Sequence, residues 1–498
     1  MTDRKLTNRQ DATRRQAPPA SGASLPSSDQ SKRQGTNSVH GTCTSEGEAG
    51  RHLPLQARLD KETSSSESIL QRLERIATQA REYPEMQFTT LAHLLDVALL
   101  ERAYWSLNPK SAPGVDRVTW RKYQRNLDTN LEDLHTRLKS QTYHPQPVKR
   151  RWILKSPGKY RPLGLSALED KVVAKAVALL LEQIYEQDFL DFSHGFRPNH
   201  SCHKASHQVR QELLKLGITC VIDCDLRSFF DNLQHDVLLS LLRKRVNDGS
   251  LLRLIKRMLE AGIMDGKELV FPEKGSPQGS VISPLLANVY LHEVLDKWFA
   301  EVVTAHCTGK VVLIRYADDF IIGCERADDA ARIMRALPQR FAKYGLELNT
   351  EKSRLVNFAR PWGGTGRHPD GRKPGTFSFL GFVYYWGKTF RGGYTIKRKT
   401  EGKRIARTCS SIWKWCRDHR HDSLADQYRT LCAKLRGYYQ YFGVRCNSPC
   451  LDKVYDAVKF AWRYWLRRRG DRKLDWKKFN TLLTDYPLPA PRIMVPWV

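Results

Sequence analysis

Apolar residues recur along this chain with two different periods, and the way those periods alternate outlines a fold. Ile69, Leu70, Leu73, Ile76, Ala77 and Ala80 repeat every three to four residues behind Ser64-Ser65-Ser66, which predicts a helix with Ser caps. Leu91, Leu94, Leu95, Ala98 and Leu99 predict a second. Further on, Val221-Ile222-Asp223-Cys224-Asp225-Leu226 reads as a short strand running into a helix near Ser228-Phe229-Phe230-Asp231. The apolar runs 311–315 and 320–323 flank Tyr316-Ala317-Asp318-Asp319 and predict a hairpin with two acids at its tip. Helical spacing returns near 403–418, through Leu424, Tyr428, Leu431, Leu435, Tyr438 and Phe442, and through Val454, Val458, Trp462, Trp465 and Leu466. The expected class is α+β, ending in a helical region.

The N-terminal end lacks such patterning. Residues 1–82 contain no Phe, Trp or Tyr and are rich in Ser, Thr, Gln and Gly until about residue 66, so 1–65 is expected to be a disordered tail. Asp3 and Asp11 argue against a transit peptide. No segment approaches the ~18 to 20 continuous apolar residues of a membrane span, so no membrane association is expected.

Charge changes the picture more than length does. The 498 residues carry 82 Lys plus Arg against 53 Asp plus Glu, a formal +29, which calls for an anionic partner. The tail contributes little: residues 1–82 are net +3, whereas 391–478 hold 24 basic and 8 acidic residues together with 14 aromatics. Periodic aromatics there read mainly as core. Runs such as Lys397-Arg398-Lys399 and Arg467-Arg468-Arg469 repel one another unless phosphates lie between them, so a nucleic acid is the expected partner. The eleven Cys show no zinc or disulfide framework and are expected to be reduced.

The acids at the strand ends carry the candidate chemistry. Adjacent carboxylates beside buried strands raise one another's pKa and resist burial. Magnesium, with its preference for oxygen ligands, relieves that cost, and two such ions assist an in-line displacement at phosphorus. Asp225, Asp318 and Asp319 form such a cage if their segments lie side by side. A lone Asp pair at a turn is more often a solvated cap, and Asp328-Asp329 at a helix start reads that way.

Tyr316-Ala317-Asp318-Asp319 between apolar strands, about 93 residues after Asp225, resembles the palm of a reverse transcriptase. The resemblance extends in order through Lys155-Ser156-Pro157-Gly158-Lys159-Tyr160-Arg161, His194-Gly195-Phe196-Arg197-Pro198, Gly275 to Asn288, Gly345 to Ser353 and Phe377 to Phe382. Gln278-Gly279 followed by Ser283-Pro284, and Arg436-Gly437-Tyr438-Tyr439-Gln440-Tyr441-Phe442, are similar to group II intron-encoded reverse transcriptase/maturases. No VTG of the retron type occurs.

The resemblance implies a right-hand polymerase with fingers and palm over 66–390, a thumb/maturase domain over 391–485 and an extension over 486–498 with no endonuclease domain. The primer would then come from another source, such as nascent strands at replication forks. The implied site has Asp225, Asp318 and Asp319, with the Leu226 carbonyl, holding two magnesium ions. Lys155, Arg161, Phe230, Gln278 and Lys352 would serve the dNTP, Phe230 by excluding a 2′-hydroxyl. Arg197, Lys397, Arg398, Arg436, Arg467, Arg468 and Arg469 would meet RNA.

The implied partners are intron RNA, an RNA template with DNA primer, dNTPs and target DNA, in the bacterial cytoplasm at the nucleoid or in an organelle. Splicing assistance and retrohoming are the implied roles. A defence- or CRISPR-associated reverse transcriptase of intron lineage stays open, as does an RNA-binding splicing factor without polymerase activity. The intact carboxylates weigh against the last.

Overall fold

The computed structural model describes residues 55–156, 159–266, 268–276, 279–363, 365–470 and 474–495, and their side chains except those of 55–68, 155, 156 and 159. Residues 59–498 form one unit. Of the expected tail, 1–54 lie outside the described residues, while 55–65 are already helical: the first helix runs Leu55–Glu82. No Gly or Pro interrupts that stretch, and interior Ser costs a helix only a few tenths of a kcal/mol. Ser64 to Ser66 therefore lie within the helix and do not start it. The second helix is Val97–Trp105, because Asp96 caps it by accepting from the Leu99 amide at 2.9 Å. Leu91, Leu94 and Leu95 belong instead to a short 3-10 turn whose Leu91 and Ala92 amides bond Asp248.

Eleven strands build three sheets among the described residues: β1 Val148–Ser156, β2 Lys159–Leu165, β3 Cys220–Asp225, β4 Ile263–Asp265, β5 Glu268–Val270, β6 Val311–Tyr316, β7 Asp319–Cys324, β8 Arg354–Asn357, β9 Phe377–Phe379, β10 Phe382–Lys388 and β11 Tyr394–Thr400. Their orders are β2-β1-β4-β5, β6-β7-β3-β8 and β11-β10-β9. The fold is mixed α+β, as the two periods predict. The central sheet β6-β7-β3-β8 shows why its strands look continuously apolar. Ile222, Leu313, Phe320 and Ile322 face one core, while Val221, Ile314, Ile321 and Val356 face a second core shared with the C-terminal helices.

The helices Gly402–Asp418, Leu424–Phe442 and Ser448–Arg467 match the periodic stretches. A boundary at 391 would cut the hairpin of β10 and β11, which pair from Phe382↔Thr400 to Lys388↔Tyr394; the helical region starts after it. Asp329 is not a solvated cap, because it is fully buried and accepts from the Thr308 and Gly309 amides. Among the described residues no helix is long and apolar enough to cross a membrane.

Candidate active site

The central sheet brings the two acidic segments together by register. β3 pairs antiparallel with β7 so that Asp225 lies opposite Asp319, and β6 pairs with β7 so that Tyr316 lies opposite Asp319, leaving Ala317 and Asp318 as a two-residue tip. Ala317 takes φ +56°, a left-handed conformation that disfavours a residue with a Cβ. Two residues back along β3, Asp223 shares the face of Asp225.

Like charge and burial act on Asp319 together. Burial first, then Asp318 and Asp223, raise its carboxyl to about 7, against a hydrogen bond from the Leu380 amide. Asp225 is held on one oxygen by Lys352 Nζ at 2.7 Å and by Asn349 Nδ2 at 3.1 Å. Burial likewise raises Asp223, and Arg354 at 3.2 Å works against it. Two cations thus already sit against the acidic cluster. Among the described residues no three His, Cys, Asp or Glu side chains form a closed metal cage. The donors at the site are all carboxylate or backbone oxygen, the set that suits a hard dication.

What fixes the tip is Arg315, a charge in the middle of an apolar strand. Its guanidinium is fully buried and all five of its donors are used. Nε and one Nη2 hydrogen reach Asp296 at 2.8 and 2.5 Å, Nη1 reaches Asn288 at 3.0 Å and the Ala317 carbonyl at 3.1 Å, and Nη2 also reaches Ser193 at 2.7 Å. Sequence reading passed over Arg315, Asn288 and Asp296. The available signal was the isolated cation itself, since a charge in a buried strand needs a partner. Gly195 completes the brace: a Cβ there would lie 2.2 Å from the Ala317 amide, so only glycine lets 193–197 pack on the turn.

Between β1, β2 and the segment that follows β3 lies a cavity of about 290 Å³ lined by Arg150, Trp152, Gly164, Phe230, Asp231 and Ser276, among others. Phe230 reaches it because β3 ends at Asp225 and a short helix, Phe229–Asn232, follows at once. Arg150 and Arg161 oppose the upward shift that burial gives Asp231. Gln278 lies outside the described residues. Its neighbour Gly279, at φ +108°, packs where a Cβ would meet the Gly164 carbonyl at 2.7 Å, so this loop is pressed onto β2 next to the cavity. Arg161 pairs with Ile153 on the exposed β1-β2 hairpin, and Lys155 is on the same hairpin with its side chain outside the description.

The basic candidates divide. Arg436, Arg467, Arg468 and Arg469 are exposed on the C-terminal helices, and Arg468 stacks 3.7 Å over Tyr464. Lys397 is half-buried and lies opposite Tyr385. Arg398 is corrected: alternation along β11 turns it inward, where it is 2% exposed and donates to the Ser206 hydroxyl. Arg197 is corrected as well. Its guanidinium is buried against Glu186 at 3.0 Å and donates to the Leu190 and Ser193 carbonyls, so it braces the 193–197 segment.

Comparison with known proteins places this geometry. The reverse transcriptase (RNA-dependent DNA polymerase) family model matches residues 153–384. Protein YkfC of Escherichia coli is 36% identical over 280 residues, 50% of this chain and 74% of that protein. The group II intron-encoded protein LtrA of Lactococcus lactis is 29% identical over 371 residues, 62% of this chain and 61% of LtrA. A 91 kDa protein in the cob intron of Schizosaccharomyces pombe is 33% identical over 236 residues, 46% of this chain and 28% of that protein. Matched in sequence over 153–384 to the family model and beyond it to intron-encoded proteins, the chain belongs to the reverse transcriptase family, in its group II intron-encoded reverse transcriptase/maturase branch.

Proposed function

We propose that this protein extends a DNA primer on an RNA template and binds its group II intron RNA to assist splicing and retrohoming. The observation that carries the polymerase reading is the opposition of Asp225 and Asp319 across β3 and β7, with Asp318 at the strained tip. Reverse transcriptases work with divalent metal ions. Here Asp225, Asp318, Asp319 and the Leu226 carbonyl would hold two magnesium ions, whose chemistry is to lower the pKa of the attacking hydroxyl and neutralise the leaving phosphate. The protein's own part is positioning and electrostatics.

Lys352 and Asn349 orient Asp225. Lys352 would also supply a proton to the departing pyrophosphate. Lys155 and Arg161 on the β1-β2 hairpin take the triphosphate, Gln278 contacts the nucleotide, and Phe230 excludes the 2′-hydroxyl. The RNA surface comprises Lys397, Arg436 and Arg467 to Arg469, with target DNA and template–primer as further polyanionic partners.

Primer extension on poly(rA) with oligo(dT) and magnesium tests the core of this reading. Asp318→Ala with Asp319→Ala is expected to lower the rate at least about a thousandfold. An unchanged rate would sink the assignment.

A further inference from the structure

Two turns far from the carboxylates expose the largest aromatic surfaces of the described chain. Trp362, in the loop between β8 and β9, is 74% exposed, and Phe390, in the turn between β10 and β11, is fully exposed. The turns are neighbours, since a Cβ at Gly366 would meet the Tyr394 hydroxyl at 3.3 Å. Neither tip is slack. Trp362 and Arg367 form an antiparallel bridge with the Trp362 amide 3.0 Å from the Arg367 carbonyl, and Arg367 Nη1 reaches the Gly371 carbonyl at 2.8 Å. The Thr389 amide closes the second turn on the Gly393 carbonyl at 2.6 Å. An exposed indole on a braced turn has no packing role to explain it.

The surrounding charge identifies the partner. Arg360, Arg367, Arg372, Lys373, Lys388 and Arg391 are all exposed on these two turns. Their sole acid, Asp370, sits 3.7 Å from Arg372. Aromatic faces interleaved with cations suit unpaired bases and their phosphates better than a paired duplex, whose bases are already stacked.

The location separates this patch from the catalytic hairpin. The tight β9-β10 turn places the Leu380 amide on Asp319. The 389–393 turn is at the opposite end of β10, a strand of seven residues and therefore ~20 Å long at ~3.3 Å per residue.

We propose that the described residues of the paired turns around Trp362 and Phe390 form a second nucleic-acid site, which holds a single-stranded segment by stacking bases on Trp362 and Phe390 and binding its phosphates with the surrounding Arg and Lys. The site is independent of polymerisation, so its test does not stand or fall with the polymerase reading. Fluorescence anisotropy of a labelled 12-nucleotide oligo(U) and its oligo(dT) counterpart measures it directly on the full chain.

Trp362→Ala with Phe390→Ala is expected to weaken binding about tenfold, while Trp362→Phe, which keeps a stacking face, restores most of the affinity. A loss confined to oligo(U) assigns the held strand as RNA, a loss confined to oligo(dT) assigns it as DNA, and a loss with both assigns either strand. Unchanged affinity for both oligomers in the double variant, with its far-UV circular dichroism intact, overturns the proposal.

Discussion

The central sheet and the C-terminal helices use charge in opposite ways. At the sheet, acids are crowded onto one strand end and a single buried cation, Arg315, locks the turn that carries them with five hydrogen bonds. On the helices, cations spread over aromatic faces at the surface: Arg468 lies over Tyr464, Arg463 over Trp476 at 4.2 Å and Lys434 over Trp415 at 5.6 Å. The first arrangement depends on each atom, because a buried charge that loses its partner is left without compensation. The second is distributed and screened by salt, so no single residue dominates it. A polymerase centre and an RNA-holding surface call for those two designs respectively.

The sharpest way to break the contrast is at Arg315. Arg315→Met leaves Asp296 buried without its cation and is expected to cost about 3–5 kcal/mol in denaturant unfolding. Adding Asp296→Leu should recover most of that stability. The rate should stay low in the double variant, with kcat reduced and KM for dNTP little changed, because nothing then ties the Ala317 carbonyl to Asn288 and Ser193. Full recovery of kcat with stability would reduce Arg315 to a structural ion pair.

Asp319 sharpens the same comparison through pH. Its folded pKa, about 7, lies above the ordinary carboxylate value, so the carboxyl adds stability in its protonated form at low pH. That contribution is lost as pH rises through about 7. In chelator, the wild-type chain should therefore lose stability between pH 5 and pH 8, and Asp319→Asn should flatten the loss, gaining on the order of 2 kcal/mol at pH 8. Thermal melts at the two pH values measure it. An Asp319→Asn chain with the same pH dependence as wild type would show that the acids do not repel one another as their geometry demands.

These residues also mark how far sequence reading reaches. The carboxylate hairpin was legible because period-two alternation and a two-residue tip are local signals. The three C-terminal helices were legible for the same reason at the other period. Arg315 was not, since its partners Asp296, Asn288 and Ser193 come from three separate segments and nothing local announces them. Arg398 failed in the reverse direction: a run of three basic residues looks like a surface, yet strand alternation turns the middle one inward, and Arg197 failed because its partners Glu186 and the Leu190 carbonyl come from the preceding segment. Residue 391 falls inside the β10-β11 hairpin, whose basic composition resembles the helices that follow.

The distributed surface gives the smallest effect per residue. Arg467, Arg468 and Arg469 end the helix Ser448–Arg467, where Arg469 also bonds the Asp422 carbonyl at 3.0 Å and Arg468 stacks on Tyr464. Each cation that neutralises a phosphate adds roughly 0.7–0.9 to the slope of log affinity against log salt. Changing all three to Glu should therefore lower that slope by about two to three and weaken intron RNA binding most at low salt. Arg398→Lys, by contrast, should leave the slope as it is and reduce stability, since that side chain is bonded to Ser206 inside the fold. Filter binding across a salt series with both variants distinguishes the two kinds of cation. An unchanged slope in the triple variant would move the RNA surface off this helix end.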